Sequence, residues 1–370
     1  MQEPHFLATG IGSLPLLEAG PALDLIFRHF PSAPHWPQLP QASFRENFVY
    51  QFLTPLVRLG LVKVEEGHNP SYVPRDEVFY RQVLRFYEEY LQARETGNLE
   101  FFALTEEAAR GFSSFQKALA SRERFTRPPG HEKGQETLPL RYLKGQIIGP
   151  VTAGFQLLDN SRRASFYDQE LRELLVKSLE LDAAWQVQRL AAFGHPVIIF
   201  VDDSFLYVYG TANFLALTRE DITTSLEAIF GAIREQGGLP GAHICSQTDW
   251  SLLLDSSLEI LNLDAYNYFS SLLPYAEKLT AFLQRGGVVA WGIVPTSPRA
   301  KEENVASLRG RYLGYLDSLE RQGVPRELLL SRSMITPSCG TGLLPPELAQ
   351  RIYELTQALA ADLQARFPWS

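Results

Sequence analysis

Two cysteines and one histidine stand at the ends of apolar segments, and their spacing favours a metal site. In GAHICSQ, His243 lies two residues before Cys245, and TPSCG places Cys339, the other cysteine of the chain, after a second apolar run. Because side chains alternate between the two faces of a strand, positions 243 and 245 share one face. Imidazole and thiolate are ligands that zinc prefers. Asp264, at the end of LEILNLDA, is the candidate for a fourth ligand.

The plainest interpretation of these residues is structural. A free cysteine often packs as a small apolar side chain, and an isolated histidine is commonly only hydrogen-bonded. The shared position of the three side chains at the ends of apolar segments favours the metal hypothesis over this alternative.

Two further stretches place polar groups after apolar runs. FVDDSFL contains Asp202 and Asp203, and a carboxylate at such a position binds an ammonium group or takes part in proton transfer, the alternative being a helix N-cap. TGIGSLP (9–15) is a turn whose backbone N–H groups could hold a carboxylate or phosphate, the alternative being an ordinary strand-to-helix turn. The sequence has no G-x-G-x-x-G or G-K-[ST] loop, so a nucleotide ligand is not expected.

Apolar segments that alternate with helical patterns would position these residues. Strand-like segments lie at 6–12, 34–40, 142–150, 195–203, 239–247, 258–265, 286–294 and 327–340. The main helical patterns lie at 17–30, 163–193, 218–237, 272–285, 301–323 and 345–366. Continuous apolar strands followed by helices are typical of parallel sheets. The sequence therefore predicts an α/β fold, a (β/α)8 TIM barrel, with the polar groups at the carboxyl ends of its strands.

An insertion at about 50–141 separates the second and third predicted strands. Within it, LVKVEEG and SYVPRDEV predict a hairpin, and helical patterns and a polar loop at 127–136 follow. We expect residues 1–370 to form a single barrel domain that carries this insertion.

The composition restricts the partners and the compartment. Of the 370 residues, 34 are basic and 42 acidic, and the net charge of −8 argues against nucleic acid or an anionic membrane as a partner. The sequence shows neither a run of about 18 apolar residues nor the start of a signal peptide. Two cysteines do not make a disulfide framework. We therefore expect a cytoplasmic protein.

The motifs together resemble a known family. The chain resembles the C-terminal catalytic barrel of cobalamin-independent methionine synthase, within the wider group that includes uroporphyrinogen decarboxylase. The matching stretches occur in the family's order and span almost the whole chain: TGIGSLP, GPVTAG, IIFVDDSFL, AHICSQ, LEILNLDA and TPSCGTG. The His-x-Cys pair followed by the late Ser-Cys-Gly is the most specific of these features.

The resemblance implies a zinc (Zn2+) site and a homocysteine site. The zinc ligands would be His243, Cys245 and Cys339, with Asp264 at the position of the family's fourth ligand. The amino-acid end of homocysteine would be held at its carboxylate by Ile11, Gly12 and Ser13, and at its ammonium group by Asp202.

The sequence departs from the family pattern in three places. Asp264 stands where the family has a glutamate, and Val294 stands where it has a histidine. Asp203 and Ser204 replace an acidic-proline pair. Because aspartate is one methylene shorter than glutamate, we expect the contact of Asp264 with zinc to be longer, water-bridged or absent.

These features predict a zinc-dependent methyltransferase that acts on a small thiol, with homocysteine as the first candidate and methionine as its product. The family's full-length enzymes carry an N-terminal barrel that contributes to folate binding, and this sequence shows no counterpart. A methylcorrinoid, carried by a partner protein, is therefore the expected donor. Two alternatives stay open: a uroporphyrinogen decarboxylase-like enzyme that needs no metal, and a metal- or corrinoid-binding barrel without turnover.

Overall fold

A curled sheet of parallel strands forms the centre of the fold. The computed structural model describes residues 3–121, 139–214 and 216–368. In chain order the strands are β1 (Leu7–Ala8), β2 (Val62–Lys63), β3 (Ser71–Tyr72), β4 (Leu143–Ile148), β5 (Val197–Asp202), β6 (Leu239–Ile244), β7 (Ile260–Leu263), β8 (Val288–Val294) and β9 (Ser333–Pro337). Seven of them pair in parallel in the order β1-β9-β8-β7-β6-β5-β4. The predicted α/β class with a parallel sheet is confirmed, and the sheet forms a half-barrel.

The segment 34–40 lies between the two edge strands of this sheet. His35 forms a parallel bridge to Lys144 of β4, and Gln38 forms one to Ser13, beyond β1. The segment contains three prolines, which lack a backbone donor and interrupt a hydrogen-bonded ladder. The second predicted strand is thus present as two isolated bridges.

Helices follow the strands along the chain, as the sequence predicts. They are α1 (Ala19–His29), α2 (Thr54–Arg58), α3 (Glu77–Thr96), α4 (Arg110–Ala120), α5 (Pro150–Gln156), α6 (Gln169–Ala191), α7 (Arg219–Glu235), α8 (Ser251–Leu254), α9 (Ala265–Tyr268), α10 (Ala276–Gln284), α11 (Val305–Arg321), α12 (Arg326–Ser331) and α13 (Pro346–Arg366). Local capping fixes several of their starts. Thr218 caps α7 by accepting a hydrogen bond from the Asp221 N–H, and Asn304 forms a capping box with Ser307 at the start of α11.

The last predicted strand is wrong in its first half. Residues 327–331 belong to helix α12, and only Ser333–Pro337 form β9. Pro325 precedes the helix with a fixed backbone angle, and glutamate followed by three leucines is a sequence of good helix formers. The apolar run therefore indicated burial correctly and the type of element incorrectly.

The insertion packs against neighbouring helices and the segment 34–40. Strands β2 and β3 pair antiparallel, which confirms the predicted hairpin. In α4, the Phe115 ring stacks on Phe27 of α1 at 5.8 Å between centroids, and Phe112 lies edge-on to Trp36 at 5.7 Å. The polar loop predicted at 127–136 lies outside the described residues. Among the residues that the structure describes, no helix is both long enough and apolar enough to cross a bilayer.

Candidate metal centre

The carboxyl ends of β5, β6 and β9 bring the predicted residues to one edge of the sheet. Asp202, the last residue of β5, is in register with His243 of β6. Cys245 follows β6 directly, and Cys339 lies two residues beyond the end of β9. Parallel strands present their carboxyl ends at the same edge, so residues far apart in sequence become neighbours here.

His243, Cys245 and Cys339 form a group with the spacing of metal ligands. One ligand atom from each residue lies within 4.8 Å of the other two. Atoms bound to a common zinc ion lie roughly 3.3 to 3.8 Å apart, given bond lengths of about 2.0 to 2.3 Å, so only a small contraction would be needed. Both cysteines are free thiols and partly exposed, whereas the histidine is buried.

The two thiols interact with each other, and this interaction shifts their pKa values in opposite directions. Interaction with the Cys339 thiol is the main cause that lowers the pKa of Cys245 to about 4; burial opposes it and His243 adds to it. The same interaction, together with burial, raises the pKa of Cys339 well above its usual value. Burial would lower the pKa of His243, but the Cys245 thiolate and the charge of Asp202 outweigh it and raise that pKa. The pair thus favours one thiolate, at Cys245, beside the imidazole.

Asp264 lies at the same edge but outside this group. Its Oδ1 accepts a hydrogen bond from the Asn267 N–H at 3.0 Å, and its Oδ2 accepts one from the Asn267 side-chain amide at 2.7 Å. The Oδ1 atom therefore caps the short helix α9, and Oδ2 is bound by the side chain of the same asparagine. The structure gives Asp264 a capping role, and its coordination of zinc stays a prediction.

The neighbouring residues Asp202 and Asp203 have different surroundings. Both oxygens of Asp203 accept hydrogen bonds at the start of α5, from the N–H groups of Val151 and Thr152 at 3.0 and 2.7 Å and from the Thr152 hydroxyl at 2.6 Å. The Oδ1 atom of Asp202 is buried and has no hydrogen-bond partner among the described residues. Burial raises the pKa of Asp202 to about 6, although the charges of His243 and Lys144 act against it. Asp203 is a structural anchor, and Asp202 is the carboxylate available to a ligand.

The predicted turn at Ile11, Gly12 and Ser13 is fixed to the loop that carries Cys339. The Ser13 carbonyl accepts hydrogen bonds from the Thr341 N–H at 3.0 Å and the Thr341 hydroxyl at 2.9 Å, and the Ser13 hydroxyl accepts one from the Gly342 N–H at 3.2 Å. A Cβ atom on Gly340 would lie 2.2 Å from the Ser13 hydroxyl oxygen, so a larger residue at this position would displace that hydroxyl. The structure thus brings the turn and Cys339 together.

Two buried polar side chains near the site escaped the sequence analysis. The Lys144 ammonium donates to the Ile11 carbonyl at 2.5 Å, and burial lowers its pKa to about 7 while the charge of Asp202 opposes this shift. Asn262 is hydrogen-bonded to Nδ1 of His243. Each interrupts an apolar strand, in YLKGQIIGP and LEILNLDA. A polar residue within an apolar strand was the signal in the sequence, but it does not show which residue that side chain contacts.

Comparisons with known proteins identify no family for this chain. No protein-family model matches, and no curated protein matches. Among solved structures, a Cellulomonas fimi endo-beta-1,4-mannanase double mutant is similar at 14% sequence identity and a TM-score of 0.31, over 68% of this chain and 58% of the mannanase chain. This chain thus spans less than two thirds of that protein, and a likeness so weak says nothing about activity. The resemblance to methionine synthase stays a prediction.

Proposed function

We propose that His243, Cys245 and Cys339 hold a zinc ion and that the protein transfers a methyl group to a small thiol, homocysteine being the candidate substrate. The observation that carries the proposal is the convergence of both cysteines of the chain on one buried histidine. Two soft sulfur ligands and an imidazole suit zinc. Nε2 of His243 is buried and has no hydrogen-bond partner in the described part of the chain, which fits a nitrogen that binds a metal.

The residues around the group would bind and orient the substrate. When bound, zinc would keep a coordinating substrate thiol deprotonated near neutral pH, where a free thiol with a pKa of about 8.5 is mostly protonated. The Asp202 carboxylate would accept the substrate ammonium group. The turn at Ile11, Gly12 and Ser13 would meet the substrate carboxylate. Fixing the amino-acid end in this way directs the sulfur toward the donor methyl group, which is an orientation effect.

The proposal includes a complete (β/α)8 barrel. Its support is the segment 34–40, which bridges to Lys144 on one side and to Ser13 on the other. With that segment as the second strand, the ring would close and the metal group would lie at its carboxyl-terminal mouth, the usual place for an active site in this architecture. The compartment that suits two free thiols is the reducing cytoplasm.

A methyl-transfer assay tests the proposal. Zinc-loaded protein is incubated with homocysteine and methylcobalamin, the proposed class of donor, and in parallel with methyltetrahydrofolate, and methionine is measured. We expect methionine from methylcobalamin, and its loss in Cys245→Ala. His68→Ala, which removes an exposed histidine far along the chain from the group, serves as the matched control and should retain activity.

Two outcomes would contradict the proposal. Full activity of metal-free protein would show that the group does not act through zinc. Stoichiometric zinc without methyl transfer from either donor to any thiol tested would leave a metal-binding protein without this activity.

A further inference from the structure

We propose that Asn262 is a positioning residue that fixes the proton of His243 on Nδ1, so that Nε2 presents its lone pair to the metal. The inference rests on the proposed metal site and adds the group that prepares its nitrogen ligand. Nothing in the sequence motifs assigns a role to this asparagine.

Asn262 lies beside His243 because of the strand register. It is a fully buried residue of the four-residue strand β7, and β6 and β7 pair so that His243 and Asn262 are direct partners. A buried amide side chain must satisfy its polar atoms with hydrogen bonds. The hydrogen-bond partners of Asn262 therefore indicate its role.

The orientation of the Asn262 amide follows from its surroundings. Its Nδ2 atom lies 2.7 Å from the backbone carbonyl oxygen of Ala290 and 2.7 Å from the Thr336 hydroxyl oxygen. A carbonyl oxygen accepts hydrogen bonds and cannot donate them, so the atom facing Ala290 must be the amino nitrogen. The flipped amide would place two acceptors against each other. The amide oxygen therefore faces the histidine.

This orientation decides which ring nitrogen of His243 carries a proton. The Asn262 oxygen can only accept, so Nδ1, its partner, must donate. A neutral imidazole has one N–H, and with that hydrogen on Nδ1 the lone pair is on Nε2. Nε2 is the ring nitrogen that is buried without a hydrogen bond in the described structure.

A buried acceptor without a partner destabilises a fold unless something binds it. Here Nε2, which has no hydrogen-bond partner in the described structure, belongs to the histidine that groups with the two thiols. Groups that orient a metal-binding histidine through its other nitrogen typically change metal affinity about 10- to 100-fold when removed. Asn262 is a neutral group of this kind, so it orients the ring without adding charge to a site that already contains two thiols.

Zinc affinity in two variants tests the inference. Asn262→Leu removes the acceptor for Nδ1, and Asn262→Asp retains an acceptor at that place. Both lose the amino group that satisfies Ala290 and Thr336, so both should unfold at a lower temperature. By chelator competition, we expect zinc to bind about 10- to 100-fold more weakly to Asn262→Leu and within about threefold of wild type to Asn262→Asp. A purely structural role would weaken both variants alike and would overturn the inference.

A second measurement needs no variant. Long-range 1H–15N spectra of the zinc-loaded wild-type protein, with His243 assigned through His243→Ala, report which ring nitrogen carries hydrogen. We expect Nδ1 to be protonated and Nε2 to bind the metal, and the reverse arrangement would overturn the inference. Wild-type protein that binds no zinc at all would instead refute the proposed function, and this is seen before any Asn262 variant is compared.

Discussion

At the scale of the residue, the adjacent aspartates Asp202 and Asp203, at the end of β5, have different surroundings and different roles. Asp203 receives three hydrogen bonds from Val151 and Thr152 and fixes the start of α5. The Asp202 oxygen Oδ1 is buried with no such partner in the described chain and lies at the edge where the cysteines converge. We therefore expect stability to depend on Asp203, whereas Asp202 is the carboxylate proposed to bind the substrate.

Neutral substitutions separate the two roles. In Asp203→Asn, the amino group faces an N–H donor, so we expect the free energy of unfolding to fall by about 1 to 3 kcal/mol, the cost of a buried unsatisfied group. In Asp202→Asn, we expect a change within about 0.5 kcal/mol or a small gain, because no hydrogen bond is lost. Urea titrations at pH 8 measure both. Equal losses in the two variants would contradict this division of roles.

The sequence predicted the residues of the metal group better than their surroundings. His243 lies two residues before Cys245, which follows β6, and Cys339 follows β9, so parallel pairing places all three at one edge of the sheet. The curling of the sheet then brings the end of β9 close to the end of β6. The contact between Asn262 and His243 depends on the exact register of β6 with β7, which the apolar pattern does not determine. The sequence also could not tell which of the two aspartates would anchor α5, because that depends on where the first N–H groups of α5 lie.

At the scale of the element, the backbone of helix α4, in the insertion, lies very close to the backbone of the segment 34–40. A Cβ atom on Gly111, in α4, would lie 1.8 Å from the carbonyl oxygen of Pro37. Such a contact with backbone cannot be relieved by a side-chain rotation. Helix α4 therefore approaches the segment as closely as it does only because this position is glycine.

Alanine substitutions in two helices test this packing. We expect Gly111→Ala to lower the free energy of unfolding by about 1 to 3 kcal/mol, because the clash displaces α4 and exceeds the gain in helix propensity. The control is Gly314→Ala in α11, where an added Cβ meets no atom within 4 Å and where we expect a gain of up to about 1 kcal/mol. Chemical denaturation measures both. A gain in Gly111→Ala would refute the close contact.

Element types followed from the sequence more reliably than element limits. The strands β4 to β8 lie within their predicted segments because each is a buried apolar run between turn residues. The helix α12 was missed because leucine-rich segments are equally apolar in a helix and in a strand. The segment 34–40 was predicted as a strand, but it forms two isolated bridges. The apolar pattern does not show that its prolines lack the backbone N–H groups that a strand needs.

At the scale of the whole molecule, the parallel sheet brings residues that are distant in sequence together at one site. The turn at Ser13, from the start of the chain, is hydrogen-bonded to the loop at Thr341 and Gly342, which follows the last strand. The first and last strands of the chain, which are neighbours in the sheet, are therefore also joined at the edge that carries the metal group. The sequence predicted this α/β architecture, whereas the way the insertion packs depends on ring contacts such as Phe112 with Trp36, which no periodicity reveals.

The central claim is that this edge of the sheet binds one zinc ion through His243, Cys245 and Cys339. The measurement that tests it most directly is the metal content of protein purified under reducing conditions, by elemental analysis, beside the variant Cys339→Ala. We expect one zinc per chain and its loss in the variant. A wild-type protein that contains no zinc, even after reconstitution with zinc under reducing conditions, would contradict the account and leave the two cysteines as packing residues.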